Sequence, residues 1–145
     1  MLFRSRQAGQ HDGRTLTEQG MDAFLLQTPG RAIVQSTGNY FGRRIHASGL
    51  LSPGAEAVLD FRIPNHHPPH ELDLWYPAPD RFSVRVCGPA GMAPVLAIPG
   101  QMSLLLHEGQ PVGRVYHRRS DPNNGDHQVA LYLDALAPRS EGAHV

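Results

Sequence analysis

Glu71-Leu72-Asp73-Leu74-Trp75-Tyr76 alternates without a break: Glu71, Asp73 and Trp75 fall on one side of an extended chain, and Leu72, Leu74 and Tyr76 on the other. A period of two belongs to a strand with two unlike faces, so residues 71–76 predict a half-buried β-strand. The pattern extends in both directions. Upstream, Val58, Asp60 and Arg62 alternate with Leu59, Phe61 and Ile63. Downstream, residues 82–87, 94–98, 102–107, 112–118 and 128–134 are further strand candidates. Turn chemistry separates them at Pro64-Asn65, Pro77-Ala78-Pro79-Asp80, Gly88-Pro89-Ala90-Gly91, Pro99-Gly100, Glu108-Gly109 and Pro122-Asn123-Asn124-Gly125. Short strands at this spacing, with no helical stretch among them, predict a mostly β fold: an antiparallel β-sandwich over residues 51–137, followed by a frayed tail at 138–145.

The first fifty residues follow a different period. Thr15-Leu16-Thr17-Glu18 matches a capping box, in which the Thr15 hydroxyl and the Glu18 carboxylate each satisfy a free amide of the first helical turn. Leu16, Met21, Phe24 and Leu25 form one stripe at helical spacing, and Pro29-Gly30 stops the helix. Ala32-Ile33-Val34-Gln35-Ser36 then reads as a strand buried on both faces, ending at Thr37-Gly38-Asn39. A helix and one doubly buried strand cannot close a core alone, because the strand needs parallel neighbours. Residues 1–50 therefore read as a partial α/β segment of a larger domain.

Composition narrows the function. Thirteen Arg, with no Lys, balance thirteen Asp plus Glu, so no net charge draws the 145-residue chain to nucleic acid or to an anionic membrane. Neither partner is expected. The apolar runs are far too short to span a bilayer. The single cysteine, Cys87, makes no internal disulfide and reads as a small buried hydrophobe.

The run from Glu18 to Leu25, followed by Gly30-Arg31-Ala32-Ile33-Val34-Gln35-Ser36-Thr37-Gly38-Asn39, resembles the helix and strand of subtilisin-like serine peptidases that deliver the oxyanion-hole asparagine. Tyr40-Phe41-Gly42-Arg43-Arg44-Ile45-His46-Ala47-Ser48-Gly49 is similar to the segment that follows it in a bacterial branch of that family. That branch carries a β-sandwich, or jelly-roll, insertion between the asparagine and the serine nucleophile. Glu71-Leu72-Asp73-Leu74-Trp75-Tyr76 and Asp121-Pro122-Asn123-Asn124-Gly125-Asp126 look like motifs of the insertion. The resemblance covers most of residues 10–137. It implies a serine endopeptidase acting on a peptide or protein substrate, with Asn39 as oxyanion donor and as the one site residue that carries over. In the family order the catalytic Asp and His precede this region and a Gly-Thr-Ser nucleophile follows it, so the chain is expected to be an internal fragment, inactive alone. The alternative is a stand-alone β-sandwich module that binds sugar, peptide or a protease partner.

Other motifs have plainer readings beside the functional ones. Asn39 at a strand end is also a common turn residue. His66, His67 and His70 crowd a proline-stiffened loop, yet adjacent residues of an extended chain point apart, and a solvated loop is favoured over a metal site. Asp121, Asn123 and Asp126 offer hard oxygen ligands to calcium, but the spacing departs from an EF-hand and suits a turn with Gly125 at positive φ. No cofactor is assigned. Trp75 and Tyr76 face opposite sides of their strand, so at most one of them is free to stack on a sugar. Arg43-Arg44 and Arg118-Arg119 read as solvated doublets.

Overall fold

The computed structural model describes residues 12–35, 42, 45–63 and 70–134. One helix, α1 (Leu16–Gln27), precedes six strands: β1 (His70–Tyr76), β2 (Val84–Val86), β3 (Val95–Ala97), β4 (Met102–His107), β5 (Gln110–Arg118) and β6 (His127–Leu133). The fold is mostly β, and every strand pairing among the described residues is antiparallel. Four strands form a sheet in the order β1-β6-β5-β4, and β2 and β3 form a separate ribbon. The chain thus leaves β1, builds the ribbon, and returns as a β4-β5-β6 meander whose last strand lies beside β1.

Helix α1 begins where its capping box places it. The Thr15 hydroxyl accepts from the Glu18 amide at 3.3 Å, and the Glu18 carboxylate accepts from the Thr15 amide at 3.0 Å. Beyond its end, Gly30 takes a φ of +84°, a left-handed conformation that turns the chain away from the helix axis. The β4–β5 connection is a two-residue hairpin in which both Glu108 and Gly109 have positive φ, as a type I′ turn requires.

The core draws on both sheets. Tyr76, Leu105, Val112, Val115, Val129, Leu131 and Leu133 of the large sheet cluster with Ala97 of the ribbon, and Phe61, Ile63, Phe82 and Val86 pack around them. On β5 the register opposite β4 shifts, so that Leu105 faces Gly113 while Leu106 faces Pro111. The extra residue is Val112. This bulge lets Val112 and Gly113 both lie buried, while on the other side of β5 the Val112 carbonyl accepts from the Asp134 amide at 2.9 Å and carries the β5–β6 register one residue further.

Three expectations are corrected. Residues 58–63 alternate as predicted but form no strand: Phe61 and Ile63 dock on the core while the backbone joins neither sheet. Of the strand expected over residues 32–36, Ser36 lies outside the described residues and residues 32–35 form no strand. No described residue pairs with them, and Val34 is 96% exposed. The strands 82–87 and 94–98 are also shorter than read, at three residues each.

A Cβ built at Gly113 would collide with the Tyr132 backbone carbonyl, which cannot move without breaking the β5–β6 ladder. Gly113→Ala is expected to cost about 1–3 kcal/mol. Leu105→Ala, which empties a position with 0% exposure, is expected to cost about 2–5 kcal/mol. Urea unfolding followed by tryptophan fluorescence measures both.

Candidate functional site

Asn39 lies outside the described residues, as do His66, His67, Arg43 and Arg44. What is described is the approach to Asn39. Arg31 folds back over the helix end, where its guanidinium donates to the Phe24 carbonyl at 3.1 Å and to Gln27 Oε1 at 3.0 Å, and lies 4.5 Å from the Phe24 ring centre. A cation there satisfies a free carbonyl and complements the negative end of the helix dipole. The apolar stripe, by contrast, is only partly covered. Helix α1 buries none of its residues, and Met21, Phe24, Leu25 and Ile33 are all exposed.

The two insertion-like motifs, far apart in sequence, meet at one end of the sheet. Residues 71–76 fall within β1, and the 121–126 loop leads into β6, which pairs with β1 in full register. The Asp126 carboxylate accepts from the Ala78 amide at 3.1 Å, just beyond β1. Within the loop, Asp121 Oδ1 accepts from the Asn123 amide at 2.9 Å, and Asn124 Oδ1 from the Asp126 amide at 3.0 Å. The Asp121 carbonyl accepts from Gly125, whose φ is +82°. These oxygens stabilise the turn itself. Among the described residues no group of three or more His, Cys, Asp or Glu is gathered to hold a metal. His70 sits on β1 opposite Leu133.

Trp75 and Tyr76 take opposite faces, as their adjacency requires. Tyr76 enters the core, edge-on to Phe82 at 4.8 Å and to His127 at 5.0 Å. Its hydroxyl lies 2.5 Å from His117 Nε2, and His117 Nδ1 lies 2.8 Å from the Ala97 carbonyl. A carbonyl only accepts, so the Nδ1 proton belongs to that bond, and Nε2 accepts from the phenol. Burial pushes the Tyr76 pKa up, against the pull of Arg81 and Arg119, and so keeps the phenol a donor. Two other buried imidazoles are also engaged by main chain: His127 Nδ1 accepts from the Ser120 amide, and His107 Nε2 donates to the Ala90 carbonyl. Sequence reading passed over all three. The signal for His117 was its place in the alternation of β5, two residues after Val115. Cys87 is exposed, which corrects the expectation that it is buried.

The opposite face of the large sheet is polar and aromatic. Gln128 donates to Asp73 at 2.8 Å and accepts from Arg118 at 3.3 Å, bridging β1, β6 and β5. Arg118 lies over the Tyr116 ring, which meets Tyr132 edge-on. Burial, helped by the Glu71 charge, raises the Asp73 pKa against the Gln128 hydrogen bond and Arg118. Burial also raises that of Tyr132, helped by its hydrogen bond to Glu71 and the charges of Glu71 and Asp73. The Trp75 indole N–H is buried and has no hydrogen-bond partner among the described residues.

Below the sheet, an apolar cavity of about 10 Å³ between Phe61, Ile63, Met92 and Val112 is too small for a substrate. Among the described residues no helix is long and apolar enough to cross a membrane. No family model matches the chain, and no curated protein or solved structure is significantly similar to it.

Tyr76→Phe removes the donor to His117 Nε2 inside the core and is expected to cost about 1–3 kcal/mol, read from urea midpoints. Asp73 tests the other face. Its folded pKa lies above its ordinary value of 3.8, so the folded state holds the proton more tightly than the unfolded one. The associated stability is present below that ordinary value and is lost as pH rises through the folded one. Asp73→Asn keeps an acceptor for Gln128 without the buried charge. At pH 7 the variant is expected to be at least as stable as the parent, and its advantage should shrink as the pH falls towards 4.

Proposed function

We propose that the chain is the oxyanion-strand and insertion region of a subtilisin-like serine endopeptidase, with residues 51–137 forming a jelly-roll-like β-sandwich inserted between Asn39 and the nucleophile. The observation that carries the reading is the incompletely buried segment ahead of Asn39. A capped helix and the run that follows it leave Met21, Phe24, Leu25 and Ile33 partly exposed, whereas the sheet already has a core of its own. Such a segment is suited to packing against a larger body, and the resemblance names that body as the peptidase domain. The meeting of the two insertion-like motifs across β1 and β6 also supports the reading.

In this reading the flanking sequence supplies an aspartate, a histidine base and a serine that attacks the substrate carbonyl. Asn39 donates its side-chain amide to the carbonyl oxygen as negative charge develops there. Such a donor gains strength as the oxygen charges, so it lowers the barrier more than it tightens ground-state binding.

Sequencing the DNA on either side is the direct test. Asp and His motifs upstream and a Gly-Thr-Ser downstream are expected, and their absence on both sides would overturn the proposal. In the extended product, Asn39→Ala should lower kcat by about 10²–10³-fold with little change in KM, a magnitude established on a subtilisin and not calculated from this chain. The 145-residue chain alone should not be labelled by a fluorophosphonate.

A further inference from the structure

The face of the large sheet turned away from the core carries charge in stripes. Across the register, Glu71 neighbours Tyr132, which neighbours Arg114; Asp73, Ala130 and Tyr116 form the next row, and Trp75, Gln128 and Arg118 the third. Acids therefore lie along β1, uncharged residues along β6, and guanidinium groups along β5. On β4, Leu104 and Met102 extend the first two rows and are about half exposed. Glu71, Arg114 and Arg118 are exposed.

We propose that this face is an interface between two copies of the chain, related by a two-fold axis running along β6. The argument is self-complementarity. Rotation about an axis parallel to the strands keeps each row level and exchanges the two sides of the sheet. Placed over β6, it lays β1 of one copy on β5 of the other. Glu71 then meets Arg114, Trp75 meets Arg118, and Tyr132 meets its own counterpart, with each unlike contact made twice.

Two other placements are less favourable. An axis over β5 sets Arg114 on Arg114 and Arg118 on Arg118. An axis between β6 and β5 lays Glu71 and Asp73 on Leu104 and Met102, leaving carboxylates desolvated against apolar side chains. Facing sheets cross at about 30°, but β1 and β5 each lie about one strand spacing, ~5 Å, from the β6 axis, so their rows still meet. A sugar is a poorer occupant, because Tyr116 and Tyr132 stand at 83° to each other and share no stacking plane.

With the axis over β6, β4 of each copy lies outside the overlap, and the three facing strands, about 4.8 Å apart and some six residues long, give a contact of about 300 Å² per copy. That is the size of a transient interface, with a dissociation constant in the micromolar range or weaker. The proposal rests on the sheet alone and is independent of the peptidase reading.

Sedimentation equilibrium of the full chain over about 10–500 µM at low salt is expected to show a monomer–dimer equilibrium that weakens as salt rises. Glu71→Arg and Arg114→Glu should each weaken dimerisation about tenfold or more, and the combined exchange should restore it to within about threefold. Both residues are exposed, so unchanged melting of each variant separates a lost contact from a damaged fold. A chain that stays monomeric throughout, or singles without effect, or a combined exchange that restores nothing, overturns the proposal. So does association that Phe24→Ser with Leu25→Ser abolishes while the charge reversals leave it intact, because that assigns the contact to α1.

Discussion

The phenol of Tyr76 and the imidazole of His117 tie the two sheets into one unit. A two-stranded ribbon such as β2–β3 has little stability of its own. What fixes its place is a hydrogen-bonded chain that runs from Tyr76 on β1 through His117 on β5 to the Ala97 carbonyl on β3. His117 is 1% exposed, so neither ring nitrogen has water to fall back on. Each polar group in the chain is satisfied only while all three strands hold their positions, and an unpaired buried group costs more than a made bond contributes. The network therefore selects an arrangement as well as stabilising it. The apolar residues around it supply most of the stability, but they would tolerate more than one way of laying the ribbon on the sheet.

The bulge at Val112 serves the same end by another route. A regular β5 would alternate from Gln110 to Arg118 and send Val112 to the charged face. One extra residue brings Val112 and Gly113 inward together. Gly113 is required because the Tyr132 carbonyl occupies the space a side chain would need. Beyond the bulge, Val115 and His117 face the core, while Arg114, Tyr116 and Arg118 face outward. The stripe of positive charge on the outer face and the buried imidazole are thus consequences of one register.

Much of this was legible in the sequence, for identifiable reasons. A capping box is a local chemical contact, and Thr15 and Glu18 make it without help from the rest of the chain. Glu108-Gly109 set a hairpin by backbone preference. The alternation of residues 71–76 correctly put Trp75 and Tyr76 on opposite faces but left open which of them enters the core; the structure gives that place to Tyr76. Periodicity, however, reports which side of a chain is wetted and not whether its amides find a partner. Residues 58–63 alternate because Phe61 and Ile63 touch the core, yet they join no sheet. The histidines were missed because His66, His67 and His70 drew attention as ligands, whereas His117 occupies a position the alternation reserves for an apolar side chain. A buried imidazole is recognisable only once a phenol and a carbonyl are known to lie within reach, and Tyr76 and Ala97 are 41 and 20 residues away. The candidate site was legible only as a motif ending at Asn39, a position outside the described residues.

The contrast between the two parts of the chain bears on how they could coexist in one enzyme. A twelve-residue helix is marginal in water even with a good cap. Its local supports, the Thr15–Glu18 box and the Arg31 contact with the Phe24 carbonyl, are each worth about 1 kcal/mol. Burying its apolar stripe would add more, at about 1.5–3 kcal/mol for each large side chain taken fully out of water. The helix therefore depends on a surface that the described residues do not supply, while the sheet has a core around Tyr76 and His117. An inserted domain with a finished core places no demand on its host beyond two points of attachment, and a host segment with an unfinished one regains its stability when the host packs around it. In the proposed enzyme, the sheet would fold on its own contacts, whereas the stretch ahead of Asn39 would be held by the domain that also supplies the reacting groups. An oxyanion donor gains from that dependence: the packing that stabilises the strand would also fix the position of its amide, and a fixed dipole stabilises developing charge without reorienting during the reaction.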